Sequence, residues 1–265
     1  MGNKLVASNQ VEHFANSTEY QICVFDNIGV GSSDAPKGRY SIAEMAKDAH
    51  ELLVYLHWTS QVHVVSISMG GMIALELMLL APSMFESCML ISTHGGMSIP
   101  PFGGALAVPR SMLEKSGRKK LEILQSMLFP PLFLESPASG GKFKTQREQT
   151  FAYLANRESG VPMTTAQGAS GQLAAIFWHY VSRKRLEKLS RTQIRFIVVT
   201  GTWDQLVRPT NSMHLAHHLN CPLEVVVGGG HALPSERSDW MNMFIEGHVN
   251  KTLKRATPEP LRASL

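Results

Sequence analysis

A chain of 265 residues, 44% hydrophobic and 17% charged, is long enough to bury a substantial core and has globular rather than fibrous, low-complexity or membrane-embedded composition. The net charge of +4 and pI near 9.0 would suit an anionic partner, but the basic runs "SRKRLEKLSR" (182–191) and "NKTLKR" (250–255) come without a recognition motif. They are read as solvated faces, and no nucleic-acid partner is expected.

No run reaches the length of a membrane span, and "MGNKLVASNQ" lacks the apolar core of a signal peptide. Val6 stands where a myristoylation signal wants Ser or Thr. A soluble, cytoplasmic protein without a transmembrane segment is expected. Cys23, Cys88 and Cys221 are odd in number and lack CxxC spacing; the first two sit in apolar runs and are expected as buried thiols.

The first strand-like run is "YQICVFD" (20–26). Ser41-Ile42-Ala43-Glu44 then forms a capping box that opens a helix through "MAKDAHELLVYLHW", and "VHVVSIS" (62–68) completes a βαβ unit. The helix-like "MIALELMLL" leads to "SCMLIST" (87–93), and "RFIVVTG" (195–201) and "LEVVVGG" (223–229) follow much later. Near-continuous apolar strands alternating with helices predict an α/β protein whose mostly parallel sheet is covered by helices on both faces. Between Gly95 and Ser190 the strand runs vanish. Pro- and Gly-rich turns there separate stretches in which Leu121, Leu124 and Leu128, then Leu173, Ile176, Phe177 and Tyr180, recur at helical spacing. This predicts a helical insertion over one end of the sheet, with Phe177 and Trp178 packed. The expected division is a first core part (1–94), a helical cap (95–190), a second core part (191–249) and a polar tail (250–265).

The candidate chemistry begins at Ser66-Ile67-Ser68-Met69-Gly70-Gly71. A tight turn from strand to helix holds a serine Oγ out of the backbone and favours the negative charge of acyl transfer at the helix N-terminus. The neighbours two residues away, Ser66 and Gly70, are small, as converging backbones require. "GTWDQLVRP" places Asp204 after the fourth strand run, and "GGGHALPSER" places His231 after the fifth. Open parallel sheets gather ligands beyond the carboxyl ends of their strands, so Ser68, Asp204 and His231 should meet on one rim.

Rival motifs are weaker. Gly29-Val30-Gly31 begins a dinucleotide fingerprint, but Asp34 holds the third glycine position and Pro36 follows where a helix should open. His214, His217 and His218 lack a carboxylate at matching spacing and are expected on a solvent-facing helix, so no metal and no cofactor is expected. No histidine has Asp five positions on, which disfavours an H-x-x-x-x-D acyltransferase. His94 is read either as pocket lining or as a structural hydrogen-bonding group.

Taken together, these segments resemble the α/β-hydrolase superfamily, in its branch with a helical cap, over about residues 10–249. "VFDNIGVGSSD" (24–34) is similar to the family's D-x-R-G-x-G-x-S loop with Ile28 in place of arginine, and "SISMGGMIALELMLLAP" is similar to its nucleophile elbow and following helix. The resemblance implies Ser68 as nucleophile, His231 as base, Asp204 as the orienting acid and the Met69 N–H as first oxyanion donor. It also implies hydrolysis of a lipid or other small acyl ester through an acyl-enzyme. The family's preceding strand and His-Gly loop are not found here, so an N-terminally truncated fold lacking the second oxyanion donor is expected. Two consequences are expected: residues 20–26 and 62–68 either pair directly or lack a neighbour, and hydrolysis is weak. The competing expectation is a catalytically impaired hydrolase-fold protein that binds a ligand or partner.

Overall fold

The computed structural model describes residues 4–138, 140–159 and 164–252. Strands β1 (Val62–Ile67), β2 (Phe85–Ile91), β3 (Arg195–Gly201) and β4 (Leu223–Val226) form one sheet in the order β1-β2-β3-β4, with every pair parallel. The period of two in the central strands sends Cys88, Leu90, Phe196 and Val198 to one face and Met89, Ile91, Ile197 and Val199 to the other. On the first face lie α2 (Ile42–Tyr55), α3 (Met69–Leu80), α9 (Arg183–Ser190) and α10 (Pro209–Leu219), which contribute the fully buried Met45, Leu75, Leu186 and Leu215. On the second lie α11 (Leu233–Glu236) and α12 (Ser238–Val249), with Leu233, Met241 and Ile245, joined by Phe14 of α1 (Ser8–Ala15). Both faces of the sheet are therefore covered, which explains why its strands read as unbroken apolar runs.

The helix starts follow local chemistry. Ser41 Oγ accepts the Glu44 N–H at 3.1 Å and donates to the Glu44 carboxylate at 2.8 Å, so α2 opens where the capping residues stand. Within the insertion, α4 (Phe102–Leu113), α5 (Gly117–Leu128), α6 (Pro131–Glu135), α7 (Gln146–Ser159) and α8 (Ala166–Trp178) follow one another. Glycine lets α8 touch the core: a Cβ on Gly168 would fall 2.0 Å from the Gly29 carbonyl oxygen, and Gln172 Nε2 donates to Ile28 O at 2.9 Å. Among the described residues no helix is long and apolar enough to cross a membrane.

Four expectations are corrected. Residues 20–26 form no strand; a strand exists only through a ladder partner, and β1 pairs with β2 alone among the described residues. Ile22, Val24 and Phe25 of that segment, and Val65 of β1, are 37–43% exposed, so direct pairing of the two does not occur. Cys23 on the same segment is only half-buried, whereas Cys88 in the sheet is fully buried. Phe177 and Trp178 are each 74% exposed and stack edge to face on one another rather than in a core. His218 is buried rather than solvent-facing, in ring contact with His214 and His217 and 3.7 Å from Glu187.

Candidate active site

Ser68 lies between the last residue of β1 and the first of α3, with φ 55° and ψ −122°. A non-glycine residue with positive φ costs about 1–3 kcal/mol and persists only where its surroundings impose it. Here they do. The Ser68 N–H donates to Ile91 O at 2.9 Å, and Thr93 Oγ1 donates to Ser68 O at 2.6 Å. Thr93 can reach that carbonyl because Gly71 has no side chain: a Cβ there would stand 2.5–2.6 Å from the Thr93 side chain. Gly70 is less constrained, since its nearest neighbour would be Ser66 Cβ at 3.9 Å. The steric requirement of the turn thus falls on Gly71 and Thr93, which the sequence reading did not single out. Ser66 is buried with its hydroxyl donated to Met89 O at 2.9 Å, so the two neighbouring serines differ: Ser66 ties β1 to β2, and Ser68 stands on the turn. The Met69 N–H is the first of α3 and has no carbonyl one helical turn earlier to receive it.

Asp204 and His231 are brought together at the ends of β3 and β4 by the backbone itself. Trp203 N–H donates to Gly229 O at 2.9 Å, Thr202 N–H to Val226 O at 3.1 Å, and Gly228 N–H to Thr202 Oγ1 at 2.8 Å. A Cβ on Gly201 would lie 2.1 Å from Gly229 O, so glycine is what permits this approach. His231 Nδ1 then lies 2.9 Å from Asp204 Oδ2 and 3.0 Å from Oδ1, with both residues buried. Asp204 Oδ1 also accepts the N–H groups of Leu206 (2.8 Å) and Val207 (2.9 Å), which fixes the carboxylate. A carboxylate oxygen can only accept, so Nδ1 is the donor of this pair. Behind the ring, Gly230 N–H donates to buried Glu236 at 2.7 Å, and burial raises the Glu236 pKa. Ala232 N–H donates to Leu128 O at 3.2 Å, and α4 presses Gly104 against the Gln205 carbonyl, so α5 and α4 each touch one of the two loops.

Two histidines accompany this pair. His94 Nδ1 accepts the Gly96 N–H at 3.0 Å, and burial, with lesser contributions from His179 and His231, pushes its pKa down to about 4. It is therefore a neutral ring with its proton on Nε2. His179, also pushed to about 4 by burial, stands 4.0 Å from Glu76, whose carboxylate is gripped by both terminal nitrogens of Arg185 at 2.9 and 2.6 Å. No hydrogen bond joins Ser68 Oγ to His231 among the described residues; the structure unites the acid and the base and leaves the serine on the neighbouring turn. A depression of about 370 Å³ bounded by Phe25, Asp26, Ser32, Asp34 and Asp48 includes none of the three. The Lys4 N–H donates to Asp26 Oδ1 at 2.7 Å and so is not free to meet an oxyanion, and residues 1–3 lie outside the described residues. No cluster of three or more metal-ligating side chains forms among the described residues.

The turn, the rim and the covered parallel sheet define a class, and sequence comparison agrees with it. The alpha/beta hydrolase fold family model matches residues 2–238, and the chain belongs to that family. Among curated relatives, a protein named as a candidate carbamate hydrolase, RutD of Pseudomonas savastanoi pv. phaseolicola, is 27% identical over 86% of this chain and 86% of its own. A poly(3-hydroxyalkanoate) depolymerase of Ectopseudomonas oleovorans is 24% identical over 93% of this chain and 81% of its own. The solved meta-cleavage product hydrolase of Pseudomonas fluorescens IP01 superposes with a TM-score of 0.74 at 17% identity, covering 96% of this chain and 87% of that one, a likeness of fold.

Proposed function

We propose that the protein is a serine hydrolase of carboxylic esters, acting through Ser68, His231 and Asp204. The single observation that carries this reading is the buried contact of His231 Nδ1 with Asp204 at 2.9 Å, which frees Nε2 for base catalysis on the same rim as a strained serine turn. In this mechanism Ser68 Oγ attacks the ester carbonyl carbon while Nε2 takes its proton. The Met69 N–H meets the developing oxyanion, and Nε2 returns the proton to the departing alkoxide. Water then attacks the acyl-enzyme, giving its proton to Nε2, and Ser68 is restored as the carboxylic acid leaves. The scheme needs no cofactor. The names of the relatives fit one carbonyl chemistry on different substrates: a carbamate in one, a polyester in the other.

Labelling of the purified chain by a fluorophosphonate tests the nucleophile. Labelling is expected in the wild type and in Ser66→Ala, and is expected to vanish in Ser68→Ala together with turnover of a short-chain aryl ester. Labelling lost in Ser66→Ala and retained in Ser68→Ala overturns the assignment. A second reading, a hydrolase-fold module that binds without turnover, is favoured by one observation, the absent hydrogen bond between Ser68 Oγ and His231. A wild type that never labels would support it. A matched panel of esters and carbamates with one leaving group distinguishes the substrate classes.

A further inference from the structure

Helix α4 carries its apolar stripe outward. Phe102, Leu106 and Leu113 are 78%, 59% and 81% exposed, and Ala105 and Pro109 between them are exposed too. At 100° per residue these five positions fall within about one-third of the helix circumference. The opposite side is the one that packs, with buried Gly104 against Gln205. A surface helix ordinarily does the reverse. The stripe does not stand alone: Val181 N–H donates to Gly95 O, and Gly96 bridges Tyr180. This joins Met97, 82% exposed, to the segment bearing Phe177 and Trp178, 74% each.

Charge accompanies the apolar surface. Residues 95–182, which precede α9, hold nine Lys and Arg against five Glu and no Asp, a surplus of four that equals the net charge of the whole chain. Arg110 adjoins the stripe, and Lys115, Arg118, Lys119 and Lys120, all exposed, follow it directly. We infer that α4 and the Phe177–Trp178 corner form an interfacial surface that seats the molecule on an anionic lipid layer, with the apolar side chains at the acyl boundary and the basic residues at the headgroups. The charge argues against a second copy as occupant, because like-charged surfaces would then be apposed. The inference requires no catalysis, so it stands apart from the proposed hydrolysis.

Sedimentation with vesicles tests it. The wild type is expected to co-sediment with equimolar phosphatidylcholine–phosphatidylglycerol vesicles at least about tenfold better than with phosphatidylcholine alone, and less as salt is raised. Phe102→Ser, Leu106→Ser and Leu113→Ser combined should weaken this by about 100-fold, and Lys119→Glu with Lys120→Glu by about tenfold. Trp178 fluorescence should be quenched by brominated lipid, with Trp178→Phe as control. That arm uses the unaltered chain and holds if the triple variant fails to fold. Equal binding to neutral and anionic vesicles, or no quenching of Trp178, overturns the inference. So does a wild-type dimer that binds no vesicles and that the triple variant dissociates, which would assign the surface to a second copy.

Discussion

The two ends of the sheet are finished in opposite ways. At the β3–β4 end, backbone bonds from residues 202 and 203 into the 226–229 loop lock two turns together, and every polar group of the Asp204 carboxylate is engaged. At the β1 end, Val65 and the irregular segment 20–26 leave apolar side chains two-fifths exposed with no ladder between them among the described residues. Ser68 stands at the poorly finished end, yet its own turn is held tightly, because its restraints come from β2 through Ile91 and Thr93. Order at the serine turn is therefore supplied by the centre of the sheet and not by the β1 edge. Substitutions at the two ends should accordingly differ in kind.

The largest effect is expected at the locked end. Asp204→Asn can keep the bonds to Leu206 and Val207 through its amide oxygen, while its amide N–H₂ meets Nδ1 and imposes the wrong tautomer. Ester turnover should fall about 10⁴-fold with the melting temperature nearly unchanged. Full activity in the variant would remove Asp204 from the mechanism. Next comes Gly201→Ala, where the added methyl group meets the Gly229 carbonyl at 2.1 Å and prises the two loops apart. Denaturant titration should show a loss of about 1–3 kcal/mol or more. On the serine turn the same test separates neighbours. Gly71→Ala collides with Thr93 and should destabilise by a similar amount, whereas Gly70→Ala has room and should be neutral or gain up to about 1 kcal/mol from helix propensity. Equal costs at positions 70 and 71 would refute the assignment of the steric constraint to Gly71.

The same contrast explains what the sequence made legible. The central strands β2 and β3 could be read because both are buried on both faces, so a continuous apolar run suffices. Asp204 and His231 could be placed because each directly follows such a run. Segment 20–26 has equal apolar content and fails as a strand, since local pattern reports a preference and not the presence of a neighbour. Gly71 was overlooked because its constraint comes from Thr93, beyond both α3 and β2. Phe177 recurs with Leu173, Ile176 and Tyr180 at core-like spacing, and periodicity alone cannot say which side of a helix faces water.

Acid should weaken the fold in a defined window. Burial holds His94, His179 and His248 at about 4, below the ordinary value of 6.5, so the unfolded chain binds more protons between those limits. Stability is then complete above pH 6.5, falls as pH drops toward 4, and levels off below it for these groups. Each histidine contributes a slope of at most about 1.4 kcal/mol per pH unit. His94→Gln should flatten the dependence by one histidine's share, and a melting temperature independent of pH across the window would show that none of the three is buried neutral.

The smallest effect on stability is expected at the open edge, where the comparison is sharpest. Val65 is 43% exposed on β1, and an edge strand with apolar side chains and unpaired backbone groups is a template for another strand. Val65→Lys places a charge on that edge without filling or emptying the core, so unfolding free energy should change by no more than about 0.5 kcal/mol. Its effect should be on association. Sedimentation velocity across a concentration series is expected to show the wild type self-associating and Val65→Lys shifting toward monomer. Because Val65 lies on β1 and Leu106 on α4, Val65→Lys should leave vesicle binding intact, while Leu106→Ser should leave the edge-driven association intact. A wild type that stays monomeric at every concentration would mean that the β1 edge is already protected, and the contrast between a closed and an open end of the sheet would fail.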